Sequence, residues 1–363
     1  MRADGRACGD KKMEPDKIET MLDEGRPLAA VKILKKYKGT DAKTLFLYAE
    51  ALRLSGFFEP SLKACKAALS NCKDKTLKIE ILLSLAKNLR TLGRAKEASE
   101  TALCALKLCG GSAAFWDLKM QAVLEQALAL RAQGRLDESS CLLKRVMVYY
   151  KEIKDIAGQS FVYWSLGGIC RLKGDFKAGV IYFKEAARLS GVCGDDLSAA
   201  YAYCGLAGIS RIAGDIKACV KNYELAEKIF KLSQDIFGKA YTNCGMANGL
   251  RQLGKYDIAL KRYAVADKLY TSINDNVDLG FVKWGKADIL KRQNKLKEAL
   301  LELTAAKKLF ANSDEIRGQL LTEISLAQLL YVLGKKAQAQ KIYFAAVARA
   351  KKEGLFTYLE SLS

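Results

Sequence analysis

A glycine or asparagine returns every 40 residues, at Gly134, Gly174, Gly214, Gly254, Asn294 and Gly334, each time between two amphipathic stretches of helical period. Both residue types accept the left-handed backbone that ends a helix, so each position reads as the turn of a helical hairpin. Earlier turns at Gly25, Gly56 and Gly93 carry the pattern towards the N-terminus with spacings of 31, 37 and 41 residues. Nine turns predict about eighteen helices. Such a chain packs each unit only on its neighbours, so 363 residues need not divide into globular domains.

The composition fits an all-α chain. Proline occurs only as Pro15, Pro27 and Pro60, which leaves about 300 residues without an obligatory helix breaker. Half the residues are hydrophobic and 28% are charged, enough apolar surface for a substantial core. No histidine is present, which removes Ser-His-Asp and Cys-His catalysis, histidine metal ligands and the usual near-neutral proton shuttle. The expectation is therefore a non-catalytic protein with no metal and no cofactor. Neither a P-loop nor a dinucleotide fingerprint occurs, since Gly110-Gly111 and Gly167-Gly168 lack the strand-to-helix context of such motifs. Eleven cysteines are scattered without CxxC spacing, and several fall on core positions, which suits a reducing cytoplasm. The start lacks an apolar signal segment, and no run of 18 uncharged apolar residues suggests a membrane span. The formal charge of +20 attracts nucleic acid, anionic lipid or acidic protein alike.

Within the unit, a small residue stands seven positions before the turn, as Ala127, Gly167, Ala207, Ala247, Ala287 and Ala327. Five positions after the turn come Gly179, Cys219, Ala259 and Ala299. Four residues later stand Phe183, Tyr223, Tyr263 and Leu303, followed by Ala186, Ala226, Ala266 and Ala306. This order of small residue, turn glycine, alanine, aromatic and alanine resembles the tetratricopeptide repeat over residues about 16 to 352. The unit is longer than the usual repeat of about 34 residues and lacks the closing proline. It is similar to the longer variant, of roughly 40 residues, in Pins-type adaptors and bacterial signalling proteins. The resemblance implies a right-handed α-solenoid of about nine helix-turn-helix repeats, with helix A of each unit on the concave side. The extra residues are expected to lengthen both helices.

Four segments are expected: a flexible leader over 1–14, divergent repeats over 15–110, regular repeats over 111–353, and a capping segment or tail over 354–363. Gly110-Gly111-Ser112 marks the middle boundary, with Ser112 as a candidate N-cap. Asp155, Asp195, Asp235, Asp275 and Glu315 open the regular units, where an acid caps helix A and opposes its dipole.

Positions 2, 5, 9 and 12 of helix A share one stripe, because offsets of 3, 7 and 10 return to one side of a helix. Successive repeats read Phe161, Trp164, Gly168, Arg171; Tyr201, Cys204, Gly208, Arg211; Tyr241, Cys244, Asn248, Arg251; and Phe281, Trp284, Asp288, Lys291. Position 12 is also arginine in the earlier units, at Arg53, Arg90 and Arg131. Six of the seven rungs are arginine in a chain with 43 lysines and only 17 arginines. Arginine offers a planar fork for carboxylate or phosphate, whereas lysine offers a mobile point charge. One reading makes this ladder a binding surface; the other makes it a dipole-satisfying last turn that pairs with acids of the next unit. The same choice holds for the aromatics at position 2, as pockets or as core.

On the binding reading, Trp164 and Trp284 supply apolar anchors, Gly168 and Gly208 admit a ligand backbone, and Asn248 is the one asparagine placed to hold it. With neighbouring helices about 10 Å apart, the ladder spans about 60 Å, the reach of about 18 extended residues. The expected partner is an acidic or carboxylate-bearing protein segment, which makes the chain an adaptor or scaffold. Single-stranded nucleic acid, stacked on the aromatics, and self-association through the solenoid ends are the alternatives.

Overall fold

The computed structural model describes residues 15–36 and 40–353. The expected leader over 1–14 and the tail over 354–363 lie outside the described residues. Among the described residues the chain is helical throughout, with eighteen α-helices in sequential pairs. The divergent part pairs α1 (Pro15–Asp23) with α2 (Pro27–Leu34), α3 (Ala42–Leu54) with α4 (Phe58–Asn71), and α5 (Lys75–Thr91) with α6 (Ala95–Cys109). Next come α7 (Trp116–Ala132) with α8 (Leu136–Glu152), α9 (Ile156–Lys173) with α10 (Phe176–Cys193), and α11 (Asp196–Ile212) with α12 (Ile216–Leu232). The last three pairs are α13 (Ile236–Gln252) with α14 (Tyr256–Ser272), α15 (Asn276–Arg292) with α16 (Leu296–Phe310), and α17 (Ile316–Val332) with α18 (Lys336–Lys352). Most helices of the regular units run 17 residues, so the extra length of the repeat does lie in both.

All nine turn residues adopt positive φ, from +58° at Asn294 to +84° at Gly214. The caps follow the sequence in four of five units. The carboxylates of Asp155, Asp195, Asp235 and Asp275 accept from the backbone N–H three residues on, at 2.8–3.0 Å. Glu315 does not cap α17 with its side chain; its carboxylate instead lies 3.4 Å from Arg317. One extra methylene carries that carboxylate past the cap position. Ser112 makes no side-chain cap either, because a 3-10 turn over Ala113–Phe115 intervenes before α7.

Repeats stack through a knob and a hollow. The helix-B aromatics Phe183, Tyr223 and Tyr263 are buried against Gly205, Gly245 and Gly285 of the next helix A. A Cβ at those glycines would stand 2.1–2.5 Å from the nearest ring atom. These glycines hold position 6, which is serine at Ser165 and Ser325. Only a small residue there lets the ring seat, so a second small position in the 40-residue register was a readable signal of the stacking.

The solenoid closes on itself. The turn at Gly93 meets the start of α17, where the Asp314 N–H donates to the Gly93 carbonyl at 2.6 Å. In return, the Asp314 carboxylate accepts from the Lys96 N–H at 3.0 Å. A Cβ on Gly93 would stand 2.7 Å from Val277 and 2.9 Å from Ser313, and one on Gly56 would stand 2.8 Å from Ile273. The second unit thus touches the end of the seventh, the third touches the eighth and the start of the ninth, and helices α3, α5, α7, α9, α11, α13, α15 and α17 line an interior. Gly93→Ala should widen the particle, whereas Gly134→Ala should not. Both residues have positive φ, so both changes carry about 1–2 kcal/mol of backbone strain, but nothing lies within 4 Å of Gly134. Small-angle scattering checks this, and equal radii for the two variants would refute the closure.

Candidate functional site

The interior holds a cavity of about 880 Å³, with a smaller one of about 140 Å³ beside it. Arg53, Arg90, Arg131 and Arg171 line the first, and Arg171, Arg211 and Arg251 line the second. Six of the seven rungs therefore face the interior; Lys291 lines neither cavity. Helix-A register brings them there, because position 12 repeats at one height on the concave side.

Their neighbours divide the ladder into two kinds. Arg53 bonds Glu50 of its own helix, at 2.7 and 3.0 Å. Arg90 lies 3.5 Å from Glu125 of the next helix A. Arg251 pairs with Asp288 of the next helix A, and the two side chains are only 8% and 9% exposed. Lys291 lies 3.6 Å from the same carboxylate and donates to Gln328 at 2.7 Å. These rungs join neighbouring turns and units, as the structural reading expects. Burial works against the Arg251 charge, but Tyr263 and Asp288 outweigh it and its pKa rises.

Arg131 and Arg211 form none of the ion pairs found among the described residues. Burial, together with Arg90 and Arg171, pushes Arg131 down to about 10, still a full cation near neutrality. Burial also pushes Arg211 down, with Arg251 and Arg171 contributing. Arg131 is held in place by packing: its guanidinium lies 5.2 Å from the Trp164 ring centroid.

The structure revises several expected contacts. Gly168 and Gly208 do not leave room for an incoming backbone. Their missing Cβ atoms admit the preceding rung, for a Cβ would meet Arg131 at 2.9 Å and Arg171 at 2.7 Å. Position 12 of one unit thus lies over position 9 of the next, glycine under Arg131 and Arg171 and acid under Arg251. Trp164 and Trp284 are half-buried rather than free anchors. Their indole N–H groups donate to the Tyr201 carbonyl at 3.2 Å and the Ser325 hydroxyl at 2.9 Å, and Arg251 covers Trp284 at 5.0 Å. Asn248 turns to its own hairpin and accepts from the Tyr263 hydroxyl at 2.7 Å. At position 2, Tyr201 and Phe281 pack edge-on against Phe230 and Phe310, each 5.0 Å away, and Tyr241 stacks on Phe237. Phe161 remains 38% exposed beside Trp164. In place of one continuous ladder along a groove, the rungs line two cavities inside the superhelical turn, because the superhelix completes its turn before the ladder ends.

An acidic group also lines the larger cavity: Asp275, Asp278 and Glu315, with Arg317 beside them. Asp275 is the cap of α15, but Asp278 has no counterpart, since the same register position is Gly158, Ser198, Gly238 and Gly318 elsewhere. That departure from the repeat was the available signal, and the stripe of positions 2, 5, 9 and 12 passes it by. Burial pushes Asp275 up to about 6. Burial also pushes Asp278 well above the usual carboxylate range, with Asp275 and Glu315 adding to it and Arg317 opposing.

A folded-state pKa raised above the unfolded value stabilises the protein below that unfolded value, near 4, and the gain is lost as pH rises through about 6. Asp275→Asn keeps an N-cap and removes the charge, so it should flatten the loss of stability between pH 4 and 7 by about 2–3 kcal/mol. Urea melts across that range test this. An unchanged slope would show that the pair does not bind its proton more tightly when folded.

No protein-family model matches the chain, and no curated protein matches it in sequence. Solved structures do resemble it. A Rap protein complexed with Competence and Sporulation Factor superposes with a TM-score of 0.68 at 16% identity, over 82% of this chain and 89% of that one. Aspartyl phosphate phosphatase F from Bacillus subtilis gives 0.56 at 13% identity, over 85% and 86%. A STAND-class signal transduction ATPase with a tetratricopeptide repeat sensor, from Pyrococcus horikoshii, gives 0.56 at 15% identity, over 96% of this chain and 56% of that one. At these identities the likeness is one of fold, and in fold the chain is an all-α solenoid of the tetratricopeptide-repeat type.

Proposed function

We propose that the chain is a non-catalytic interaction solenoid that holds a carboxylate-bearing segment of a protein partner inside its ring, at Arg131 and Arg171. The observation that carries this is Arg131, a cation lining the cavity, packed by Trp164 and Gly168 and in no ion pair among the described residues. A desolvated guanidinium is costly unless paired, and a carboxylate occupant supplies the pair in a bidentate geometry. A protein of the same fold, the Rap protein, is complexed with Competence and Sporulation Factor, which supports partner binding as the role. The cavity volume falls in the range of small-ligand pockets, so the part of the partner inside is short, not a strand long enough to follow the whole ladder. The packing of Tyr201, Tyr241 and Phe281 against neighbouring rings disfavours a nucleic-acid strand, which needs free aromatic faces for stacking. The cytoplasmic placement rests on cysteine usage; among the described residues no helix is long and apolar enough to cross a membrane.

Crosslinked pulldown with the native protein and an Arg131→Gln/Arg171→Gln variant tests this. The native protein should recover a carboxylate-bearing protein crosslinked inside the ring, and the variant should recover about tenfold less. Equal recovery rejects the arginine site. Nucleic acid retained at physiological salt and released by the same changes would transfer the role to nucleic-acid binding.

A further inference from the structure

Helix α18 departs from the other B helices on the face it turns to solvent. It carries Lys336, Lys341, Arg349, Lys351 and Lys352 and no acid, whereas α8, α10, α12, α14 and α16 all mix the two signs. Arg349 is used within its unit, 3.7 Å from Glu323. The four lysines, and Lys335 just before them, are exposed and enter none of the ion pairs found among the described residues. Aromatic residues stand among them. Tyr343 holds the register position of Phe183, Tyr223 and Tyr263, which are buried against the next helix A, yet it is 44% exposed. Phe344 is 66% exposed where the preceding units have Lys184, Glu224, Ala264 and Thr304. Tyr331, at the rung position that is basic in the seven preceding units, is exposed too, and Lys336 lies 5.6 Å from its ring centroid. Offsets of 7, 8, 11 and 15 residues bring Tyr343, Phe344, Val347 and Lys351 round to the side of Lys336. An apolar centre thus lies between two lysines about 22 Å apart along the helix.

The chemistry of this face selects its occupant. A further stacked helix would miss the ring that Phe230 and Phe310 lay on Gly238 and Gly318 of the next helix A, because that register position is Ala350 here. A second copy packed on the same face would set these lysines against one another. Stacked bases need ring faces side by side, but Tyr343 and Phe344 meet edge-on, with centroids 5.8 Å apart and planes at 72°. An anionic bilayer complements both the charge and the rings, since lysine stems lie along apolar surface while their ammonium groups reach the headgroups. We propose that α18 and the end of α17 form a docking face for an anionic lipid surface. Tyr331, Tyr343, Phe344 and Val347 meet the boundary of headgroups and acyl chains, and the five lysines meet the headgroups. No residue of α18 lines either cavity, so the interior stays open to its own partner while this face is occupied.

Vesicle co-sedimentation of the full chain at physiological salt tests this, with phosphatidylcholine vesicles that either lack phosphatidylserine or contain about one third of it. Native protein should pellet with the anionic vesicles and stay in solution with phosphatidylcholine alone. Lys336→Glu/Lys351→Glu should weaken binding about tenfold, and Phe344→Ser about fivefold. Lys177→Glu/Lys184→Glu makes the same change of charge at exposed lysines of α10 and should stay within about twofold of native binding. Equal losses in the two double variants would assign the binding to overall charge and overturn the face. Failure of the native protein to pellet also overturns it, whether a second copy, residues 354–363 or another protein then covers the face. Unchanged binding by Phe344→Ser overturns the burial of the rings. All the substituted side chains are exposed, and the comparison of the two lysine variants still decides if Phe344→Ser fails to fold.

Discussion

Asp288→Ala is expected to destabilise the protein by about 3–5 kcal/mol, the usual cost of removing one partner from a buried ion pair. The Asp288 side chain is 9% exposed and takes Arg251 from the preceding helix A. It also lies 3.0 Å from Arg292 and 3.6 Å from Lys291. Burial raises the pKa of a carboxylate, yet these three cations hold Asp288 below its usual range. Without it, three positive charges face one another, and Arg251 keeps only its contact with Trp284 and its tie to Tyr263. The double change Arg251→Met/Asp288→Leu should recover most of the loss, because it removes the charges together. Solenoids need not unfold in one step, so hydrogen exchange across α13–α15 is the informative measurement. A loss below about 1 kcal/mol for Asp288→Ala would mean that this rung does not bind the units together.

Gly245→Ala should also destabilise, against the helix propensity that favours alanine by about 1 kcal/mol. The new methyl would stand 2.1 Å from the Tyr223 ring, which is 4% exposed and cannot swing aside. Overpacking of this kind costs about 1–3 kcal/mol. Gly191→Ala provides the opposite sign, since nothing lies within 4 Å of Gly191 and it sits in the last turn of α10. That variant should gain about 0.5–1 kcal/mol. Thermal melts of the two, with Gly245→Ala/Tyr223→Leu as the rescue, check the hollow directly. Two shifts of the same sign would refute it.

The turn glycines, the aspartate caps and the count of helices were legible because each depends on a few neighbouring residues. Gly174 takes positive φ and Asp155 accepts the Gly158 N–H whatever lies elsewhere in the chain. Contacts between adjacent units were legible in part, since the constant period relates position 12 of one unit to position 9 of the next. Arg251 over Asp288 follows from that register, and Arg131 over Gly168 does too once the glycine is seen as room for a side chain. The ladder itself stood in the sequence, but not the division of its rungs, because Arg53 pairs within its own helix with Glu50, and Arg90 pairs with Glu125 at position 6 of the next helix A, not with position 9.

By itself, then, the sequence determined the repeat: a hairpin of two long helices, the small residues that let it stack, and a basic residue at one height. Tertiary structure alone decided that the stack closes, with Asp314 bonded to Gly93, and that Asp278 faces the same cavity as Arg131. Closure depends on small rotations added over several units, and no local propensity or period encodes that sum. Asp278 and Arg131 are linked by no register, so their common cavity exists only once the turn of the superhelix is complete.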